Sequence, residues 1–306
     1  MPLPEHLVTE LRAGRVIAFI GAGFSAPAGF PGWKNLLLEI AEQAEADGAL
    51  PAEVRALVVS LLSAQWPSAT ELDQAAQQID DALPSAAPQE RLVGYMRRFL
   101  VPSAYPLPPV MERRLELLRS LPFRAILTTN FNPLISGVTP FDPGAPAAAP
   151  CTPSELPPAE SSAVATSDAY GLRFVPTCCP VLQIHGSLRL PRSVVFTREG
   201  YRRLLYQQPH YHTFVKASLS AYTVLYMGFS FSDAYLNELR SEIVSLLGDG
   251  GAPIAYAITN DKSELQRKFF QKHEGVEMLN FDTSAPGGWG GFDAILEELD
   301  AAAKKT

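Results

Sequence analysis

Five short apolar runs punctuate this 306-residue chain, at 16–20, 125–128, 181–184, 223–227 and 254–258, and a sixth lies at 276–280. None alternates polar with apolar residues, so each reads as a strand buried on both faces, the mark of a parallel sheet covered by helices. The stretches between them carry the helical period instead. Helices are expected after Trp33, around 52–64, 70–82, 88–100 and 110–119, and later from near Ser232, Ser263 and Phe292. In the one that follows Gly228, Leu236, Leu239, Ile243 and Leu246/Leu247 fall at the spacing of a single buried stripe. The fold class is therefore α/β, with helices on both faces of the sheet. Residues 34–119 offer four or five helices and no strand, which predicts a helical layer inserted after the first strand.

Composition narrows the function classes. Apolar residues make up 47% of the chain, enough for a sizeable core. No run of eighteen apolar residues occurs, so no membrane-spanning helix is expected. The opening "MPLPEHLVTELRAGR" has no apolar stretch after a basic start, so no secretory signal is expected either. Three cysteines, at 151, 178 and 179, cannot make a disulfide framework, and a cytoplasmic location is the expectation. With a net charge of −7 nothing forces a basic face, and direct nucleic-acid binding is not expected. The paired Arg113 and Arg114 in "MERRLELLRS" read as the solvated side of a helix. Residues 138–177, rich in proline, alanine and serine, have little to bury and are expected to form a flexible loop.

The first run flows into "GAGFSAPAGFPGW" at 21–33, which fits the G-x-G-x-x-G/A pattern of a dinucleotide turn directly after a strand. There Gly21 permits a sharp bend, and Gly23 lets backbone N–H groups approach a pyrophosphate. The Gly-Lys-Ser/Thr of a P-loop is missing. So is the acidic residue that ends a second strand in dehydrogenases, because Glu39, Glu42 and Glu45 fall inside a helical pattern. Both ATP hydrolysis at this turn and hydride transfer are disfavoured.

Further motifs follow in order at strand ends: "TTNFN" (128–132), "IHGS" (184–187), "GFSFSD" (228–233) and "AITN" (257–260). Together with the turn they resemble the sirtuin superfamily, and in particular the bacterial sirtuin-like NADases of antiphage defence. The resemblance covers most of the chain from 16 to 281 and implies a Rossmann-like sheet in a single domain over 1–306. It implies cleavage of NAD to nicotinamide and ADP-ribose, with Asn130 and His185 catalytic. Asparagine can orient ribose hydroxyls and water, and histidine titrates near neutral pH. Gly21, Ala22, Gly23 and Ser25 would cradle the phosphates, with Gly228 and Ser230 across the cleft, Asn132 at the nicotinamide end and Asn260 at the adenosine ribose. Read without the resemblance, His185 fits a packed histidine and Asn130 a turn cap. Ser230, Ser232 or Asp233 fits the N-cap of the next helix.

Two departures matter. Deacylating sirtuins carry two CxxC pairs for zinc, and this chain has none, so no zinc ribbon and no metal are expected. Asn132 also stands where sirtuins have an aspartate. The alternatives to an NADase are a zinc-free protein deacylase and an idle module that binds NAD or ADP-ribose. Family members act beside HerA-type ATPases, with short prokaryotic Argonautes, or in Thoeris-type systems. A homo-oligomer with a defence partner is therefore expected, a HerA-type ATPase first and an Argonaute second.

Overall fold

The computed structural model describes residues 3–65, 67–84, 88–100, 107–132, 134–135, 179, 181–188, 191–231, 234–247 and 255–305. The expected loop at 138–177, Cys151, Cys178, Ser232 and Asp233 all lie outside them. Six parallel strands form one sheet: β1 (Val16–Ile20), β2 (Ala125–Thr128), β3 (Val181–Gln183), β4 (Thr223–Met227), β5 (Ala255–Asn260) and β6 (Val276–Phe281). Their order is β3-β2-β1-β4-β5-β6, the doubly wound Rossmann arrangement. In register, Ile17 lies beside Ala125 on one side and Val224 on the other.

The strand period of two splits the core between the faces. Val16, Ala18 and Ile20 enter one cluster with Ile126, Leu225, Met227, Tyr256 and Ile258. The alternate residues Ile17 and Phe19 enter the other with Ala125, Leu127, Val224, Tyr226 and Ala257. Because both faces are covered, no strand alternates in polarity, which is why the apolar runs were continuous.

The first face carries α1 (Glu5–Arg12), the layer α2 (Trp33–Ala46), α3 (Ala52–Leu61), α4 (Ala69–Ala82), α5 (Pro88–Leu100) and α6 (Pro109–Ser120), and the terminal α11 (Gly290–Lys304). The second carries α7 (Arg198–Gln207), α8 (Pro209–Ala221), α9 (Ala234–Leu247) and α10 (Glu264–Glu274). Ser68 with Glu71, and Ser263 with Gln266, close capping boxes that start α4 and α10. Helix α10 stops at Gly275, whose φ of 61° suits a residue without a Cβ.

Three helices, α1, α7 and α8, were not among those expected. Helix α1 forms because Leu7 and Leu11, one turn apart, are fully buried. Helix α7 is capped by Thr197 and buries Tyr201 and Leu204. The reading of Arg113 and Arg114 also needs correction. Arg113 is solvated at 54% exposure, but Arg114 is only 4% exposed. On α6 it shares a stripe with buried Met111, Leu115 and Leu118.

Candidate active site

In a 3-2-1-4-5-6 sheet the chain winds in opposite senses from β1 and β4, so the loops leaving their carboxyl ends diverge and leave a crevice. Here those loops first touch backbone to backbone. Gly21 N–H donates to Met227 O at 3.0 Å, and Gly23 N–H to Gly228 O at 2.9 Å. A Cβ on Gly21 would stand 2.6 Å from Gly228 O, and one on Gly23 would stand 3.0 Å from the same atom. Gly228 has φ +63°, and a Cβ there would be 2.0 Å from Phe24 N. The close approach that the glycines permit is thus made by the neighbouring loop.

After Gly21 the chain forms a 3-10 turn, Ala22–Ala28, that ends at Gly29 with φ 84°. This turn seats Ser25 in the interior, at 0% exposure. Ala22 is half-buried and Gly23 exposed, so the outer side of the turn is open to solvent.

The loop after β2 meets Ser25 from the other side. Thr128 Oγ1 donates to Ile20 O at 2.9 Å and accepts from Asn130 N–H at 3.0 Å, so one hydroxyl sets where the asparagine leaves the strand. Asn130 Nδ2 then donates to Gly21 O at 3.1 Å and to Ser25 Oγ at 3.3 Å. Ser25 Oγ donates to Asn132 Oδ1 at 3.5 Å, and Leu134 N–H reaches the same oxygen at 3.4 Å. Asn130 and Asn132 are both buried. Gln183 on β3 donates to Asn130 O at 3.3 Å and ties in the next strand.

His185 follows two residues later, beyond β3. Ile184 N–H donates to Thr128 O at 2.9 Å, which prolongs the ladder to the histidine. Its carbonyl accepts from Val195 N–H at 2.8 Å, and its Nδ1 lies 3.5 Å from Tyr201 Oη with the rings edge to face. The ring is buried, and α7 supplies the tyrosine that orients it.

The fold therefore gathers Gly21, Gly23, Ser25, Asn130, Asn132 and Gly228 at one point, with His185 at the adjoining strand end. Ala22 lies in the same turn, and Ser230 is exposed on the loop after β4. Asn260 ends β5, two strands from β1, and its Nδ2 donates to Asp261 Oδ2 at 2.9 Å. Thr128 and Gln183 were not singled out in the sequence. Their signal was a polar residue within an apolar run: Thr128 closes 125–128, and Gln183 interrupts 181–184.

The gathered side chains are serine, asparagine and histidine, with no carboxylate among them. Such a set can hydrogen-bond hydroxyls and phosphate oxygens and can move a proton at His185. It offers no carboxylate nucleophile. Cys179 is buried nearby in sequence, and burial pushes its thiol up to about 12, away from reactivity at neutral pH. Among the described residues no three His, Cys, Asp or Glu side chains cluster as a metal site, and no helix is long and apolar enough to cross a membrane.

A parallel doubly wound sheet with a glycine turn and a polar cluster at its switch point defines the nucleotide-binding α/β class. Within that class, the SIR2-like domain matches residues 124–279, half of the chain, and the protein belongs to that family. The match contains Asn130, Asn132, His185, Gly228, Ser230 and Asn260, while the β1 turn precedes it. The chain is also similar to NAD(+) hydrolase ThsA of Acinetobacter baumannii (strain 532279), 24% identical over 239 residues. That alignment takes in 78% of this chain and 41% of the relative, so the chain spans less than half of that protein's length.

Proposed function

We propose that this chain is an NAD+ glycohydrolase, releasing nicotinamide and ADP-ribose. The observation that carries the reading is the buried lattice of Ser25, Asn130 and Asn132 at the switch point, beside His185, in a SIR2-like chain related to an NAD(+) hydrolase. The bond that breaks joins ribose C1′ to the pyridinium nitrogen, and its electron pair neutralises nicotinamide. A water oxygen bonds to C1′, and its proton passes to the His185 imidazole. Nicotinamide leaves readily, so the protein's work is to orient water and sugar and to stabilise an oxocarbenium-like ribose.

Asn130 has its amide nitrogen committed to Gly21 O and Ser25 Oγ. This assigns its amide oxygen to the ribose hydroxyl or the water. Asn132 accepts from Ser25 and faces the nicotinamide end as a neutral group. The turn at Gly21, Ala22, Gly23 and Ser25 lies along the phosphates, with Gly228 and Ser230 opposite and Asn260 toward the adenosine ribose. We take 1–306 as one domain that works without metal, in the cytoplasm, as the effector of an antiphage assembly. Unrestrained NAD cleavage would drain the host, so self-association or a defence partner, first a HerA-type ATPase and second a short Argonaute, restrains it. The helical layer on the first face is the docking surface we assign to that partner.

The test is nicotinamide release from NAD with no acylated peptide present, measured over a series of protein concentrations. A general base contributes about 10²–10⁴-fold, so His185→Ala should lose at least about a hundredfold while staying folded. Asn130→Ala should fall with it. Variants within about threefold of the parent would remove both from the chemistry. Release that requires an acylated peptide would make the chain a deacylase.

A further inference from the structure

We propose that two buried arginines, Arg114 and Arg240, are positioning residues that each hold one wall of the cleft. The assignment rests on the site read above and extends it to residues outside the motifs.

Arg114 comes from α6, far from the turn in sequence. Its Nη1 donates to Phe24 O at 2.7 Å, the carbonyl next to Ser25. Its Nε and Nη2 grip Asp293 of α11 at 2.7 and 2.8 Å, a two-pronged pair. The guanidinium lies 5.5 Å from the Phe24 ring centre and 4.3 Å from that of Phe292. Phe24 is fully buried. One cation thus fixes both the carbonyl and the ring of the residue that follows Gly23.

Arg240 of α9 does the corresponding work on the β4 loop. It is 4% exposed, lies 5.1 Å from the Phe231 ring centre and pairs with Glu274 at 2.6 Å. Its Nη1 donates to Asn237 Oδ1 at 3.1 Å, and Asn237 Nδ2 donates in turn to Phe231 O at 2.6 Å. Phe231 has φ 57°, a left-handed conformation that a bulky residue keeps only when its surroundings hold it. On both walls an arginine stacks on a phenylalanine, secures its carbonyl directly or through one amide, and is neutralised by a carboxylate of another helix. The two secured loops are the ones joined through Gly23 and Gly228. Lysine cannot replace either cation, because a point charge neither forks nor stacks in this way.

The experiment compares the parent, Arg114→Lys, Arg240→Lys and Leu7→Ala, the last a buried change on α1 away from the cleft. Hydrogen exchange, NAD titration by calorimetry and nicotinamide release are measured on each full-length chain. Arg114→Lys should lose protection at 21–30 and weaken NAD binding about tenfold or more, since an ångström of misplacement costs up to about a hundredfold. Arg240→Lys should lose protection at 228–231 with a similar loss of affinity. Leu7→Ala should show neither local effect. Parent-like protection in both lysine variants, or an equal local loss in Leu7→Ala, would overturn the assignment. A parent that cannot cleave NAD under any condition refutes the activity instead, and the exchange pattern still decides the arginines.

Discussion

Gly228 is the position where one added methyl group reports most directly on how the cleft is built. In Gly228→Ala the new Cβ would lie 2.0 Å from Phe24 N, 2.6 Å from Gly23 C and 2.8 Å from Phe24 Cα. All three are backbone atoms, so no side-chain rotation relieves the clash. Ordinary contact begins at 3.4 Å, so the two loops must part by about 1.4 Å. That separation breaks the Gly23–Gly228 bond and strains the Gly21–Met227 bond, each worth about 1 kcal/mol. The left-handed φ of +63° adds about 1–2 kcal/mol for alanine. The sum is about 3–4 kcal/mol. Gly29→Ala is the control, since its φ is +84° but nothing lies within 4 Å of its Cβ. It should cost only the conformational part, about 1–2 kcal/mol. Urea denaturation of both variants measures the difference, and nicotinamide release should fall by about a hundredfold in Gly228→Ala alone. Equal midpoints for the two variants would show that the loops are not in the contact described.

Three further outcomes are expected. Asp80→Asn should raise the melting temperature at pH 7: burial, helped by Asp81 and Glu199, holds the Asp80 carboxyl above its usual range, and its Oδ1 is buried without a partner. The charged form is the penalised one, so the gain should shrink as acid protonates the parent; no gain at pH 7 would refute this. Cys179→Ala should flatten the alkaline loss of stability, because the unfolded thiol ionises near about 8.5 and the native one at about 12. Stability is then full below the unfolded value and falls by about 1.4 kcal/mol per pH unit above it, and an identical slope between pH 9 and 10 in the variant would refute the thiol's part. Ser25→Ala should leave Asn130 and Asn132 without their shared bridge and lower NAD affinity more than stability, read by calorimetry beside a urea curve.

The strands were legible because a sheet covered on both faces demands unbroken apolar runs, and β1, β2 and β4 lie where those runs lie. The Rossmann-like sheet and the family followed from motifs at strand ends, where Asn130 and His185 stand, whereas the strand order came only with the structure. Arg114 was misread for a specific reason. A charged residue was assigned to water by type, although the 3.6-residue period places it with Met111, Leu115 and Leu118. What rescues it is Asp293, 179 positions later, a pairing that no local pattern announces. The glycines were legible as a close approach, but not its partner. Gly21 and Gly228 meet only once β4 is laid beside β1.

The helical layer between β1 and β2 sets the order in which this chain can assemble. Ile17 pairs with Ala125 and Val16 with Thr223, so the first strand made is not enclosed on both sides until β4 exists. At a synthesis rate of about 5–20 residues per second, β1 waits about 10 to 40 s after emerging before β4 exists to flank it. Helices α2 to α6 complete themselves within that interval and form their own packing. The apolar "VIAFI" segment meanwhile lacks the strand that covers its second edge. Production of the protein should therefore respond to chaperone supply and translation speed more than its final stability suggests. Slowing the ribosome between residues 120 and 223 would lengthen the vulnerable period and lower the soluble yield.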